Sequence, residues 1–280
     1  RLLNLVVFSL YDIIKKNNFL KKFKLGGKDM KLVDTHCHIT DDKYDEDRNE
    51  ILKEIEENLE FAVNIGFDLE SSKRSIDLAD RYDFMYAVVG VHPTDINGYN
   101  DELEENLEKL ALHPKVVAIG EIGLDYHWMK DEKEKQKSIF RRQLEMAKRV
   151  NKPVVIHTRD ATYDTLEILK EYPEIKGIVH CYPGSYESAV ELMDNYYFGV
   201  GGVITFKNAR KLVEAVTKIP LERLVIETDS PYLTPTPFRG KRNNPIYVEY
   251  VARKIAEIKG VSYEEVVKIT TENAKEIYGI

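Results

Sequence analysis

Between residues 31 and 230, short apolar runs alternate eight times with charged stretches of helical period, and few architectures accept that rhythm. The runs are KLVDTHCH (31–38), FAVNIGF (61–67), MYAVVGVHP (85–93), VVAIGEIGLD (116–125), PVVIHTR (153–159), GIVHCYP (177–183), FGVGGVIT (198–205) and LVIETDS (224–230). They are dense in Val and Ile, as parallel strands covered on both faces must be. The stretches between them, such as DEKEKQKSIFRRQLEMAKRV (131–150), repeat their apolar residues at helical spacing, and helical patterns at 244–259 and 262–278 complete the last unit. The pattern predicts an α/β fold, a single TIM-type (β/α)8 barrel. No linker rich in Pro, Gly or Ser interrupts it to begin a second domain.

Residue types that bind metals recur at one end of these strands. His36 and His38 close the first run, Glu121 lies near the end of the fourth, His157 of the fifth, His180 of the sixth and Asp229 of the eighth. In a barrel these ends converge on one mouth, where catalytic residues are found. Side chains two apart on a strand share a face, so the H-x-H spacing lets both imidazoles grip one ion while Cys37 points away. Cys181, beside His180, reads in the same way as a packing residue. A lone strand-end histidine is more often structural than ligating, but here five of the seven histidines, His92 being the fifth, fall at strand ends. Four imidazoles and two carboxylates exceed what one catalytic zinc takes. Two divalent ions sharing one carboxylate account for the set; mixed nitrogen and oxygen ligands suit Zn, Mn or Mg.

Composition sets bounds on partners and location. Two cysteines, Cys37 and Cys181, make no disulfide framework, so a reducing, cytoplasmic setting is expected. Residues 1–29 carry a net charge of +5, against −7 for the whole chain, which leaves −12 on residues 30–280. Their opening run RLLNLVVFSL is too short to cross a membrane and lacks a signal-peptide cleavage pattern. It reads either as a short amphipathic helix or as translated upstream sequence, because Gly-Gly-Lys-Asp-Met can be encoded as a ribosome-binding site ahead of a start codon. The expectation is a non-core segment over 1–29 and a hydrolase domain over 30–280 beginning at Met30.

The phrases DTHCH, GVHP, GEIGLDY, HTRDA, HCY and ETDSPYL, followed by PFRGKRNNP, occur in an order that resembles the TatD family of metal-dependent deoxyribonucleases over residues 31–280. The resemblance implies a metal centre at the six positions reached above. It further implies that Glu121 bridges the ions, with His36, His38 and Asp229 on one and His157 and His180 on the other. It departs at HCYPGS, where Tyr182 and Pro183 stand in place of the usual Phe and Ser, and this touches only local pocket shape.

Paired divalent ions favour phosphodiester hydrolysis, with Asp229 and Glu121 as the catalytic carboxylates and Asp229 orienting or deprotonating the attacking water. Arg239, Lys241 and Arg242 on the loop after the eighth run, with Arg159 and His92, are the candidate phosphate contacts. An acidic remainder disfavours coating a long duplex, so a strand end threaded into the mouth fits better; the resemblance implies exonucleolytic action on single-stranded or frayed DNA, and a monomer is expected. Tyr126, Trp128 and Tyr232 are candidates to stack on bases, although rim packing is the plainer account of each. The rival reading is an amidohydrolase or phosphotriesterase-like enzyme acting on a small C–N or ester substrate. Many such enzymes bridge their ions with a carboxylated lysine on the fourth strand, where this chain has Glu121. A non-catalytic binding protein would leave the bridging carboxylate and Asp229 without purpose.

Overall fold

The computed structural model describes residues 23–25, 28–129 and 131–280. Leu32–Ile280 form one compact unit. Its eight parallel strands are β1 (Leu32–Cys37), β2 (Leu59–Ile65), β3 (Met85–Val89), β4 (Val116–Asp125), β5 (Val154–Arg159), β6 (Gly177–Val179), β7 (Tyr196–Val200) and β8 (Leu224–Ile226). Each pairs with the next in chain order, giving the TIM barrel that the eight runs predict. All ten residues of β4 are buried, in keeping with its largely apolar composition; all six of β1 are buried too, including Asp34, Thr35 and His36. Burying one such Val or Ile side chain stabilises the fold by about 1.5–3 kcal/mol.

The ring closes between its first and last strands. Beyond the end of β8, Ser230 forms an isolated parallel bridge with Cys37. The Asp229 N–H donates to the His36 carbonyl (2.9 Å), and the His38 N–H donates to the Ser230 carbonyl (2.7 Å). Thr35 Oγ1 donates to the Ile226 carbonyl at 3.1 Å. Asp34, fully buried, accepts from the Thr228 N–H at 2.9 Å and from its hydroxyl at 2.5 Å. Burial pushes the Asp34 carboxyl up to about 8 against these hydrogen bonds.

The helices are α1 (Arg48–Asn58), α2 (Leu69–Arg81), α3 (Asp101–Ala111), α4 (Lys133–Arg149), α5 (Thr162–Lys170), α6 (Tyr186–Val190), α7 (Arg210–Lys218), α8 (Val248–Lys259) and α9 (Tyr263–Tyr278). Helix α2 starts at a capping box in which Asp68 and Ser71 each satisfy the other's backbone. Helix α9 fastens the seam: the Tyr278 hydroxyl donates to the Thr35 carbonyl, and Asn273 Nδ2 donates to the carbonyls of Leu221 and Leu224.

Two ladders stop short of the apolar runs that predicted them. The sixth ends at Val179 and the eighth at Ile226, because Cys181 (φ 44°) and Asp229 (φ 54°) turn the chain into the left-handed region. His180 and Asp229 therefore stand on turned backbone just past their strands. Among the described residues no helix is long and apolar enough to cross a membrane. In the N-terminal stretch, Phe23–Leu25 pair antiparallel with Lys28–Met30. The expectations for residues 1–22, 26 and 27 lie outside the described residues.

Candidate metal centre

At the C-terminal ends of the strands lies a cavity of about 740 Å³, lined by His38, His92, Glu121, His157, His180 and Asp229 among others. His36, beside His38, is buried at 1% exposure. Sequence alternation brings His36 and His38 to one face of β1, and their Nε2 atoms face each other at 3.3 Å. Asp229 Oδ1 is 3.4 Å from His38 Nε2 and 3.7 Å from His36 Nε2. His38 Nδ1 is fixed by the Ile65 carbonyl at 3.1 Å, whereas His36 Nδ1 is buried without a hydrogen-bond partner.

Glu121 lies between the two sides. Its Oε2 is 3.6 Å from His36 Nε2, and its Oε1 is 2.8 Å from His157 Nδ1 and 3.8 Å from both His92 Nε2 and His180 Nε2. The strand that carries it packs tightly on β5: Gly123, at φ 142°, leaves no room for a Cβ, which would sit 2.0 Å from the His157 carbonyl oxygen. This close approach brings Asp125 Oδ2 within 3.0 Å of His157 Nε2.

Four triads of possible ligands result among the described residues, each within 4.8 Å: His36–His38–Asp229, His36–Glu121–His180, His92–Glu121–His157 and His180–Cys181–Glu227. Atoms held about 2.1 Å from a common ion lie about 3–3.5 Å apart. The spacing around His36, His38 and Asp229 is of that order. The donor set fits divalent cations. The resemblance groups His157 with His180; both rings face Glu121 Oε1, as does His92, and His180 also stacks on His36 (ring centroids 3.5 Å). Two carboxylates divide the rings, Asp125 drawing His157 one way and Glu227 drawing His180 the other.

The electrostatics follow from crowding acids and imidazoles out of water. Burial, with His180 nearby, lowers the pKa of His36. His92 is lowered to about 3 by burial and by His157. Burial opposes protonation of His180, but the charges of Glu227, Glu121 and Asp229 prevail and raise it to about 10. His157 is likewise raised, Asp125 and Glu121 outweighing burial. The carboxyls of Glu121, Asp229 and Asp125 are lowered despite burial by the surrounding imidazoles, with hydrogen bonds from loop N–H groups adding to the effect at Asp125, which reaches about 2.

Of the expected phosphate contacts, His92 and Arg159 line the cavity. His92 Nδ1 is held by Thr94 Oγ1 at 2.7 Å. Arg239, Lys241 and Arg242 are not among the lining residues. The Arg239 guanidinium lies 3.7 Å over Phe206, Lys241 lies near Phe238, and Arg242 forks onto Asp47 above the ring of Tyr44. Cys37 is buried as expected, its thiol donating to the Val63 carbonyl. Cys181 departs from the packing role, because its left-handed backbone breaks the alternation. Its thiol lies within 4.8 Å of ligand atoms of His180 and Glu227, and burial and Glu227 push its pKa well up. Tyr182, at the HCYPGS departure, is buried against Phe198 and leaves His180 in place.

Two residues of this centre carried no assignment from sequence, Asp125 and Glu227. Glu227 is fully buried, 3.0 Å from His180 Nδ1 though poorly aligned for a hydrogen bond, and it accepts from the Cys181 N–H at 2.6 Å. Gly199 makes room for it, since a Cβ there would lie 2.3 Å from the carboxylate. Spacing held the signal: Asp125 falls four after Glu121, and Glu227 two before Asp229, the same even intervals as H-x-H.

A sequence model of the family described as TatD related DNase matches residues 33–279. The chain is 49% identical over 253 residues to the uncharacterized metal-dependent hydrolase YabD of Bacillus subtilis, covering 89% of this chain and 99% of that protein. It is 38% identical over 258 residues to the uncharacterized metal-dependent hydrolase YcfH of Escherichia coli, covering 90% and 97%. The crystal structure of YJJV, a TatD homolog from Escherichia coli, superposes with a TM-score of 0.84 at 30% identity, covering 90% of this chain and 99% of that one.

Proposed function

The chain belongs to the TatD-related DNase family of metal-dependent hydrolases, and from that premise we propose that it is a deoxyribonuclease that removes nucleotides from single-stranded or frayed DNA ends. One observation carries the reading. The cavity wall combines the ligand row with five carboxylates (Asp41, Asp95, Glu121, Asp125 and Asp229) against a single guanidinium, Arg159, and the rings of Trp128 and Tyr232. So acidic a mouth repels a phosphate unless cations sit in it. Once neutralised, its aromatic rim suits an unpaired strand better than a small ester.

His36, His38 and Asp229 would hold one cation, and Glu121, His157, His92 and His180 surround the place for a second. Divalent ions bound there would neutralise phosphate charge and lower the pKa of water. Asp229 orients the attacking water and accepts its proton through the oxygen not aimed at the imidazoles. Glu121 keeps the two sides of the ligand row in register, and Arg159 takes a phosphate oxygen of the incoming strand.

The decisive test strips metal from the protein and offers end-labelled single-stranded DNA, RNA and blunt duplex with magnesium, manganese or zinc restored. Stepwise shortening of the single strand, absent in Glu121→Ala, is expected. No cleavage with any metal would overturn the reading and leave a small C–N or ester substrate as the alternative.

A further inference from the structure

Trp128 is the one tryptophan in the chain, and 59% of its surface is exposed. It also lines the cavity that holds the ligand row, where an uncovered aromatic face offers a base a surface to stack on. The three aromatic candidates near the mouth separate on their contacts. The Tyr126 hydroxyl is tied to Asp164 at 2.6 Å, and Lys133 lies over its ring. The Tyr232 hydroxyl is tied to Asp41 at 2.7 Å, and Lys43 covers its ring at 3.8 Å. Among the described residues the Trp128 ring meets the edge of His127 (centroids 4.7 Å, 82°) and the Arg159 guanidinium at 5.4 Å, and 59% of the residue stays exposed.

Its position is nonetheless fixed. Asp125, 1% exposed, accepts from the backbone N–H groups of both Trp128 (2.7 Å) and His127 (2.9 Å) through Oδ1. The other oxygen of the same carboxylate is bound to His157 Nε2 at 3.0 Å. One buried carboxylate therefore ties the backbone that carries the indole to a ligand-type histidine, and a guanidinium suited to phosphate lies over the indole.

We propose that Trp128 is a base-stacking subsite for a nucleotide beside the bond being hydrolysed, and that Asp125 is the positioning residue that spaces this subsite from the metal centre. The proposal rests on the deoxyribonuclease reading and deepens it. A base stacked on Trp128 must be unpaired, so the subsite selects single strands. Arg159 then receives that nucleotide's phosphate, and the next phosphate inward reaches the ligand row.

The lone tryptophan makes the test direct. Metal-loaded protein is titrated with a phosphorothioate-linked deoxytrinucleotide, an abasic trimer of equal charge and a blunt duplex, following indole emission. Saturable quenching by the trinucleotide, at least fivefold weaker with the abasic trimer or the duplex, is expected. By fluorescence polarisation of a labelled trinucleotide, Trp128→Ala should weaken binding by about fivefold to a hundredfold, and Trp128→Phe should restore most of it. Asp125→Ala should abolish the quench although Trp128 remains, and Asp125→Asn, which keeps an acceptor for the loop, should recover it. Equal quenching by the abasic trimer, or undiminished binding by Trp128→Ala, overturns the stacking subsite and leaves the nuclease reading standing. An intact quench in Asp125→Ala overturns the positioning role. Failure of every DNA to bind overturns both the subsite and the deoxyribonuclease reading.

Discussion

The two sides of the ligand row are built on opposite plans. On the β1–β8 side, His36 and His38 point their Nε2 atoms at each other and at Asp229 over 3.3–3.7 Å, with no closer partner. On the β4–β5 side, His157 spends both ring nitrogens on carboxylates, Glu121 at 2.8 Å and Asp125 at 3.0 Å. The first arrangement keeps its donor atoms 3.3–3.7 Å apart, the spacing of ligands around one ion. The second is already satisfied, so a cation entering it must displace a hydrogen bond and a proton. Equal numbers of ligands thus need not give equal seats: the first should hold its ion tightly and the second should exchange.

The harshest trial of that contrast is Glu121→Ala, which removes the one group reaching both sides. Metal content measured by plasma mass spectrometry should fall on both seats, and turnover should drop to the limit of detection. Retention of a full complement of metal would show that Glu121 does not join them. Asp229→Asn comes next: most turnover should disappear while much of the metal stays, because the amide keeps an oxygen for the ion but accepts no proton. Undiminished turnover would remove Asp229 from the chemistry.

Smaller effects should separate the seats. His157→Ala is expected to lose only the easily exchanged ion, and His38→Ala the tight one. Glu227→Gln, which acts through His180, should weaken metal affinity by roughly 10–100-fold. The least of the expected effects concerns pH. His180, raised to about 10 in the ion-free protein, contributes stability that is full below its unfolded pKa near 6.5 and is lost as pH rises toward 10. The metal-stripped protein should therefore melt at progressively lower temperature over that window. Cation uptake should release protons and tighten as pH rises, measurable by calorimetry in buffers of different ionisation heat.

Much of this was legible in the sequence for a physical reason. Parallel strands buried on both faces write themselves as Val- and Ile-rich runs, so all eight were visible, and H-x-H transmits its geometry through strand alternation. What the sequence concealed was whatever depends on a turn or on a distant partner. The runs at 177–183 and 224–230 look continuous, yet Cys181 and Asp229 break them, and Cys181 thereby leaves the packing role that alternation assigned to it. Arg242 looked like a phosphate contact, but its carboxylate, Asp47, lies 195 residues earlier. Asp125 sits at an even interval after Glu121, but its value lies in holding a loop and a histidine at once, and spacing alone does not show those partners.

The seam between β1 and β8 also sets a schedule. Asp34 and Thr228, which lock it, are 194 residues apart, and the same seam brings His36 and His38 to Asp229. A ribosome therefore delivers the two histidines long before the carboxylate that completes their ion seat. Until the last strand has docked, the nascent polypeptide carries only part of its ligand row, and a chain cut short before Asp229 would lack the carboxylate that faces His36 and His38.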